Sequence, residues 1–264
     1  MKRIVLALAL LLPAAAFAQT MEWGARASVE ANYKIMKGLH VYAEEEMRAS
    51  DMALSSMRTT LGVTYKPSKA VKVGVGYTLI NPYQATSAFF KSPRHRFFVD
   101  ASGSLRSGDF QFTLKERLQL THRTGSFNVY QTTPNALALK SKFTTKYKRW
   151  NWVEPYASLE MRTALNDPWG TTSGSAQWNS KNTKTYFEYT HTGYTHIYNN
   201  RYRAELGADF NFVASHTLRP YLLFDYCSDY QVDTNSEGTH LFNQTTKYVN
   251  TMCLSVGLSY VFSF

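Results

Sequence analysis

The sequence predicts an all-β fold: a transmembrane up-and-down antiparallel β-barrel of about 12 strands, with 10 as the alternative, short periplasmic turns and long external loops. Three observations predict it. The first is the C-terminal run Lys247–Phe264. From Met252 onward every second residue is large and apolar (Met252, Leu254, Val256, Leu258, Tyr260, Phe262, Phe264), and those between are small or polar except Val261. A period of two marks a strand with one apolar and one polar face. Thirteen such residues are long for a soluble strand and suit one that crosses a bilayer at a tilt. The second is that this alternation recurs along the whole chain. The third is that the intervening connections are alternately short and long.

The N-terminus fits an exported chain. Lys2 and Arg3 precede the unbroken apolar run Ile4–Leu12, and Ala16-Phe17-Ala18 forms an A-x-A cleavage site. Residues 1–18 are therefore expected to be a signal peptide cut between Ala18 and Gln19, leaving residues 19–264 as one barrel domain. The apolar run falls short of the ~20 residues a membrane helix needs, and no cysteine follows the cleavage site to take a lipid.

The strands follow in order. Trp23, Ala25, Ala27, Val29, Ala31, Tyr33 and Ile35 oppose Arg26, Ser28, Glu30, Asn32 and Lys34. Leu39, Val41, Ala43 and Met47 oppose His40, Tyr42, Glu44, Glu46 and Arg48. Met57, Leu61, Val63 and Tyr65 oppose Arg58, Thr60 and Thr64, and Val71–Leu79 alternates with Lys72, Gly74, Gly76 and Thr78. Phe97, Val99 and Ala101 face away from Arg96 and Asp100, and Phe110–Leu120 alternates with Lys115 and Arg117. Leu137, Leu139 and Phe143 alternate with Lys140, Lys142 and Lys146, and Val153–Met161 with Glu154, Glu160 and Arg162. Tyr202–Phe212 alternates with Arg203, Glu205 and Asp209; Leu218–Asp229 is mixed, and the C-terminal strand closes the series. Eleven segments result. Because bacterial single-chain barrels have even strand numbers and both termini in the periplasm, an odd count implies a further strand in a loop or an incomplete first segment. Lys184–His196 is a candidate hairpin extension.

Short turns are expected at Met36–Gly38, Pro67–Ala70, Arg106–Asp109, Arg149–Asn151 and Val213–Thr217. Longer loops are expected at Ser50–Ser56, Asn81–Pro93, Thr121–Asn135, Ala164–Asn200 and Tyr230–Thr246. A soluble β-sandwich would show neither that rhythm nor charge on one face of every strand. Glu45 and Glu116 break the pattern by falling on the apolar parity. A bulge that shifts the local register or a position near the headgroups would accommodate them; a lateral contact with another protein is the alternative.

Hydrophobic residues make up 44% and mean hydropathy is below zero, as in a barrel whose lipid face is diluted by a polar lumen. The 18 Tyr and 16 Phe suit bilayer interfaces. The net charge of +10 is spread through alternating strands, which argues against nucleic acid and for anionic headgroups or a lumen that prefers anions.

Several segments resemble the domain-of-unknown-function family 2490: W-G-A-R-A-S-V-E at Trp23–Glu30, V-Y-A-E-E-E-M-R at Val41–Arg48, L-G-V-T-Y-K-P at Leu61–Pro67, R-H-R-F-F-V-D at Arg94–Asp100, W-N-W-V-E-P-Y-A-S-L-E at Trp150–Glu160 and R-Y-R-A-E-L-G at Arg201–Gly207. The resemblance implies a barrel in the outer membrane of a Gram-negative bacterium, in a family common in Bacteroidota. It implies no biochemical activity.

The inward parity collects interleaved charges: Arg26, Glu30, Glu44, Glu46, Arg48, Arg96, Arg117, Glu160, Arg162, Arg203 and Glu205, with Arg58, Lys72 and Lys115. Buried charges must be paired, so Arg–Glu ladders filling a narrow barrel are expected; a basic-lined channel or a pocket for a small anionic solute is the alternative. The function classes left open are a structural barrel or narrow passive pore, and a surface module contacting lipopolysaccharide or a partner protein. The seven histidines lie in no catalytic motif, so no enzyme, metal or cofactor is expected. The C-terminal strand ending in Phe264 is the signal expected to engage the barrel-assembly machinery. Cys227 and Cys253 lie symmetrically about His240, so a cross-strand disulfide is one expectation if that residue centres the last hairpin; two free thiols are the alternative, since a register shift of one would point them to opposite faces.

Overall fold

The computed structural model describes residues 20–51, 53–124, 135–166, 173–178, 185–192, 197–213, 215–237 and 240–264; the signal-peptide reading and the Ala18/Gln19 cleavage site lie outside these. Fourteen strands are present: β1 (Thr20–Met36), β2 (Leu39–Ser50), β3 (Ala53–Tyr65), β4 (Val71–Gln84), β5 (Phe89–Phe90), β6 (Arg94–Ser107), β7 (Phe110–Arg123), β8 (Asn135–Tyr147), β9 (Val153–Asn166), β10 (Ser173–Trp178), β11 (Thr185–Thr192), β12 (Tyr198–Val213), β13 (His216–Glu237) and β14 (His240–Ser263). Eleven of them, all but β5, β10 and β11, form a closed barrel in sequence order. Every neighbouring pair is antiparallel except the last: β14 meets β1 in parallel, from Thr20 opposite Thr251 to Asn32 opposite Ser263.

That seam corrects the expected count of 12 or 10. The eleven segments legible in the sequence are the eleven staves, and among the described residues no further stave restores an even number. A parallel closure also places the start of β1 and the end of β14 at opposite ends of the barrel. Phe264 lies among the short turns, where its N–H bonds the carbonyl of Asn32 at 2.9 Å, whereas β1 begins at the long-loop end.

Two expected loops are strand instead. β2 ends at Ser50 and β3 begins at Ala53, which pair directly, with Asp51 at φ 47, so most of Ser50–Ser56 is strand. β13 and β14 run past the barrel wall as a continuous hairpin to Glu237 and His240. Their polar upper halves lack the amphipathic period, because a hairpin clear of the barrel wall needs no apolar face. β11 adds to the free side of that hairpin and β10 to β11, so part of Lys184–His196 does extend a hairpin.

The parity predicted for the alternating staves, all but β13, holds. Apolar residues point outward, Val29 being 58% and Leu159 64% exposed, and charged residues point inward. At the short-turn end the outer aromatic residues form a girdle in successive ring contacts. Phe110 meets Tyr147 at 5.1 Å and Tyr147 meets Trp150 at 5.2 Å; Trp152 meets Phe210 at 6.2 Å; Phe262 meets Phe264 at 4.1 Å, and Phe264 meets Tyr33 at 6.3 Å.

Inside the wall, aromatic rings lie over glycines on adjacent strands. Tyr42 stands opposite Gly62, Gly62 opposite Gly76, and Gly76 opposite Phe98. Across the barrel the row Tyr156, Gly207, Tyr221, Gly257 repeats the device. A Cβ on Gly62, Gly76, Gly207 or Gly257 would overlap the neighbouring ring, so the glycines let the rings lie against the wall and fill the lumen with apolar volume.

Candidate functional site: the charged lumen

Three aspartates anchor the interior. Asp100, Asp209 and Asp225 are 5%, 4% and 7% exposed. Asp100 on β6 faces Arg117 on β7 in the ladder and accepts from it at 2.7 Å, with Lys115 at 2.9 Å. The Arg117 guanidinium also lies 3.9 Å over the Phe98 ring, so the aromatic row and the ion pair hold one another. Asp209 on β12 takes Arg219 from β13 and Lys146 from β8. Asp225 on β13 is met by Arg203 at 2.9 Å, Arg201 at 3.3 Å and, across the seam, Arg26 at 3.5 Å. The Arg201 Nε is close enough to pair in charge but is not aligned to donate a hydrogen bond.

The predicted ladder residues divide around these anchors. Arg203 bridges Asp225 and Glu160 (3.1 Å), and Lys140 reaches Glu160 at 2.9 Å. Glu205 accepts from Lys142 at 3.0 Å and from the Tyr156 hydroxyl at 2.7 Å. Arg48 pairs with Glu46 at 2.7 Å. Among the described residues Glu30 and Glu44 have no cation partner and stand directly opposite one another; Glu30 accepts from the Asn32 amide at 2.6 Å. Arg96 gives its Nε to the Thr121 hydroxyl at 3.1 Å. Arg162 lines the same cavity.

The sequence reading missed the anchors. Asp225 and Arg219 lie in the segment read as mixed, because Tyr221 and Leu223 place apolar side chains on its inward face. Carrying the parity back from Cys253 through the hairpin would have turned Asp225 inward. Asp100 and Asp209 were on the inward parity but stood out from no other polar residue.

Around this network the lumen holds a cavity on each side of mid-barrel, and a third, of about 300 Å³, adjoins the larger of these and shares Arg26, Arg48, Arg58, Arg201 and Arg203 with it. The larger, about 600 Å³, lies between mid-barrel and the long-loop end. Of its lining residues twelve are Arg or Lys and five are Glu or Asp, which makes it strongly basic. The smaller, about 330 Å³, lies at the short-turn end beside Lys66, Lys69, Lys72 and Lys115. The two share no lining residue.

Of the two expectations for the cysteines, the structure has the free thiols: Cys227 and Cys253 are not bonded. The hairpin turns between Glu237 and His240 with a bulge between Asp233 and Asn235, so Cys227 stands opposite Thr251 and Cys253 opposite Asp225. The thiols are thus diagonal neighbours, about 7–8 Å apart along such a ladder, whereas a disulfide needs Cβ atoms about 3.5–4.5 Å apart. Alkylation of the unfolded protein without reductant is expected to label both cysteines; labelling that appears only after reduction would contradict this register.

Glu45 and Glu116 keep their outward parity with no bulge at either site. Each instead accepts a hydrogen bond from an outward hydroxyl on the next strand, Thr59 and Ser141, both at 2.6 Å. A cross-strand hydroxyl takes the place that a register shift was expected to fill.

A family model described as a protein of unknown function (DUF2490) matches residues 23–260. No curated protein matches the chain.

Proposed function

The chain belongs to the DUF2490 family of proteins of unknown function, and from that premise we propose that it is an outer-membrane β-barrel of structural type with a lumen closed to through-flow, and not a passive pore. One observation carries the reading: the lumen cavities on the two sides of mid-barrel share no lining residue. The side chains between them include the Tyr42, Phe98 and Tyr156 rings and the ion pairs of Asp100 and Asp209. Opening a path would break buried ion pairs, and removing one partner of such a pair costs roughly 3–5 kcal/mol. The outward apolar parity and the aromatic girdle are what a lipid environment favours, since no water is there to accept exposed polar groups. Placing the short turns in the periplasm sets the larger cavity toward the outside, beside the lipopolysaccharide leaflet, and leaves Phe264 in the periplasm for the assembly machinery. The reading contains no catalytic step.

Planar-bilayer recording of the refolded protein at high salt is expected to show no discrete conductance steps. Regular steps would replace the closed barrel with the narrow pore. Migration on a detergent gel that does not change on heating, or recovery outside the outer-membrane fraction, would remove the membrane barrel itself.

A further inference from the structure

We propose that the larger lumen cavity is a binding site for a small soluble phosphate-bearing anion of sugar-phosphate size, gripped by Arg58 and Arg96 beside Arg48. The inference rests on the closed-lumen reading above and deepens it by assigning the cup an occupant.

Arg58 is the centre of the argument. It projects inward from β3 opposite Glu46 and Ile80, yet makes no ion pair among the described residues, and its Nε is buried without a hydrogen-bond partner. The carboxylate it faces is already engaged, since Glu46 holds the Arg48 guanidinium at 2.7 Å; the Arg48 Nε is also buried and unpartnered. Arg96 has a hydroxyl partner in Thr121 and no carboxylate. Of these three guanidinium groups, only Arg48 has a carboxylate within ion-pair distance among the described residues. The other cations facing this cavity include Lys140, Lys142 and Arg203, which are held by Glu160 and Glu205, so Arg58 and Arg96 stand out within it.

An uncompensated cluster of buried cations is costly, and an anion carrying two or more charges offsets it. Ten of the twelve cations lining the cavity are arginines, and the planar guanidinium fork matches the paired oxygens of a phosphate where an ammonium offers only a point charge. The Thr60 and Thr78 hydroxyls, bonded to each other at 3.0 Å, and the Gln119 amide line the same space and supply neutral partners. A volume of about 600 Å³ exceeds what a bare phosphate fills and lies in the range of small-molecule sites; the polar lining suits a hydroxylated body better than an apolar one. The cavity is enclosed by the inward face of the wall, which a lipid headgroup does not enter from the side.

The test uses the mature chain refolded in detergent micelles, titrated by calorimetry with sodium pyrophosphate, glucose 6-phosphate, citrate and glucose at constant ionic strength, so that screening is the same for all. Saturable binding of both phosphate probes is expected, with citrate at least tenfold weaker and glucose silent. Arg58→Met and Arg96→Met are each expected to weaken the phosphate probes at least tenfold, and Arg106→Met, outside the cavity, to leave them unchanged. Arg58→Met is also expected to raise the unfolding temperature of the empty barrel, because it removes the least compensated cation; this outcome separates loss of binding from loss of folding. Absence of saturable binding, citrate as tight as pyrophosphate, or Arg58→Met and Arg96→Met binding like the parent would each overturn the proposal. Conductance is scored independently: a conducting barrel that still binds phosphate through Arg58 would sink the closed lumen and keep the site.

Discussion

Asp225→Ala is expected to destabilise the barrel by about 3–5 kcal/mol, the range for removing one partner of a buried ion pair. The substitution leaves Arg201, Arg203 and Arg26 around an empty centre, and among the described residues Arg203 alone of the three has a second acid, Glu160, in ion-pair distance. The three arginines come from β12 and β1, on the two sides of β13 and β14, so Asp225 ties the seam to the wall behind it. Urea unfolding in lipid vesicles, followed by loss of the compact gel band, reads the effect. Asp109→Ala, at an exposed short turn, should move the midpoint by no more than a few tenths of a kcal/mol. Equal midpoints for Asp225→Ala and the parent would remove Asp225 from its place as an anchor.

Gly257→Val should be comparably disruptive for a different reason. Its Cβ would overlap the Tyr221 ring on the neighbouring strand, forcing the ring off the wall into a lumen already filled by Tyr156 and the Asp209 pairs. Overpacking of this kind costs typically 1–3 kcal/mol and occasionally more, and here the valine also sits on the strand that closes the barrel. The decisive comparison is the double variant. Gly257→Val with Tyr221→Ala should recover part of the lost stability, because the collision is gone. A double variant less stable than either single change would show that the ring is not what the glycine accommodates.

Both predictions concern features that the sequence exposes unevenly. The outward and inward faces are legible in every stave where apolar and polar residues alternate, as from Trp23 to Ile35, because the side-chain period of a strand is fixed at two. Even the count of eleven was legible. What misled was the rule of even strand numbers, since the pairing of the first and last strands depends on residues at opposite ends of the chain and leaves no local mark. The ion pairs were half legible for a similar reason. Parity turns Arg203 and Glu205 inward, but which acid each arginine meets depends on the register across neighbouring strands. In β13 the apolar pair Tyr221 and Leu223 hid the parity itself, and with it Asp225. The choice between the two cysteine expectations turned on one bulge: Asp233 and Asn235 shift the ladder, and a shift anywhere between the turn and the thiols is enough to part them.

The parallel seam also governs the order in which the molecule can be made. Thr20 and Thr251 are partners across 231 positions of chain (251 − 20), the most distant pairing in the fold. Most other staves meet a neighbour close in sequence, β9 and β12 being the exception with β10 and β11 between them, so hairpins can form early and zip outward, whereas β1 must wait for the final strand. Until β14 arrives the growing sheet carries two unpaired edges, each a template for association with another chain. Closure of so long a loop is entropically opposed and slow compared with the local pairings. The rate-limiting event in folding is therefore expected to be the meeting of the chain's two ends, and a protein truncated before Met252 would persist as an open sheet.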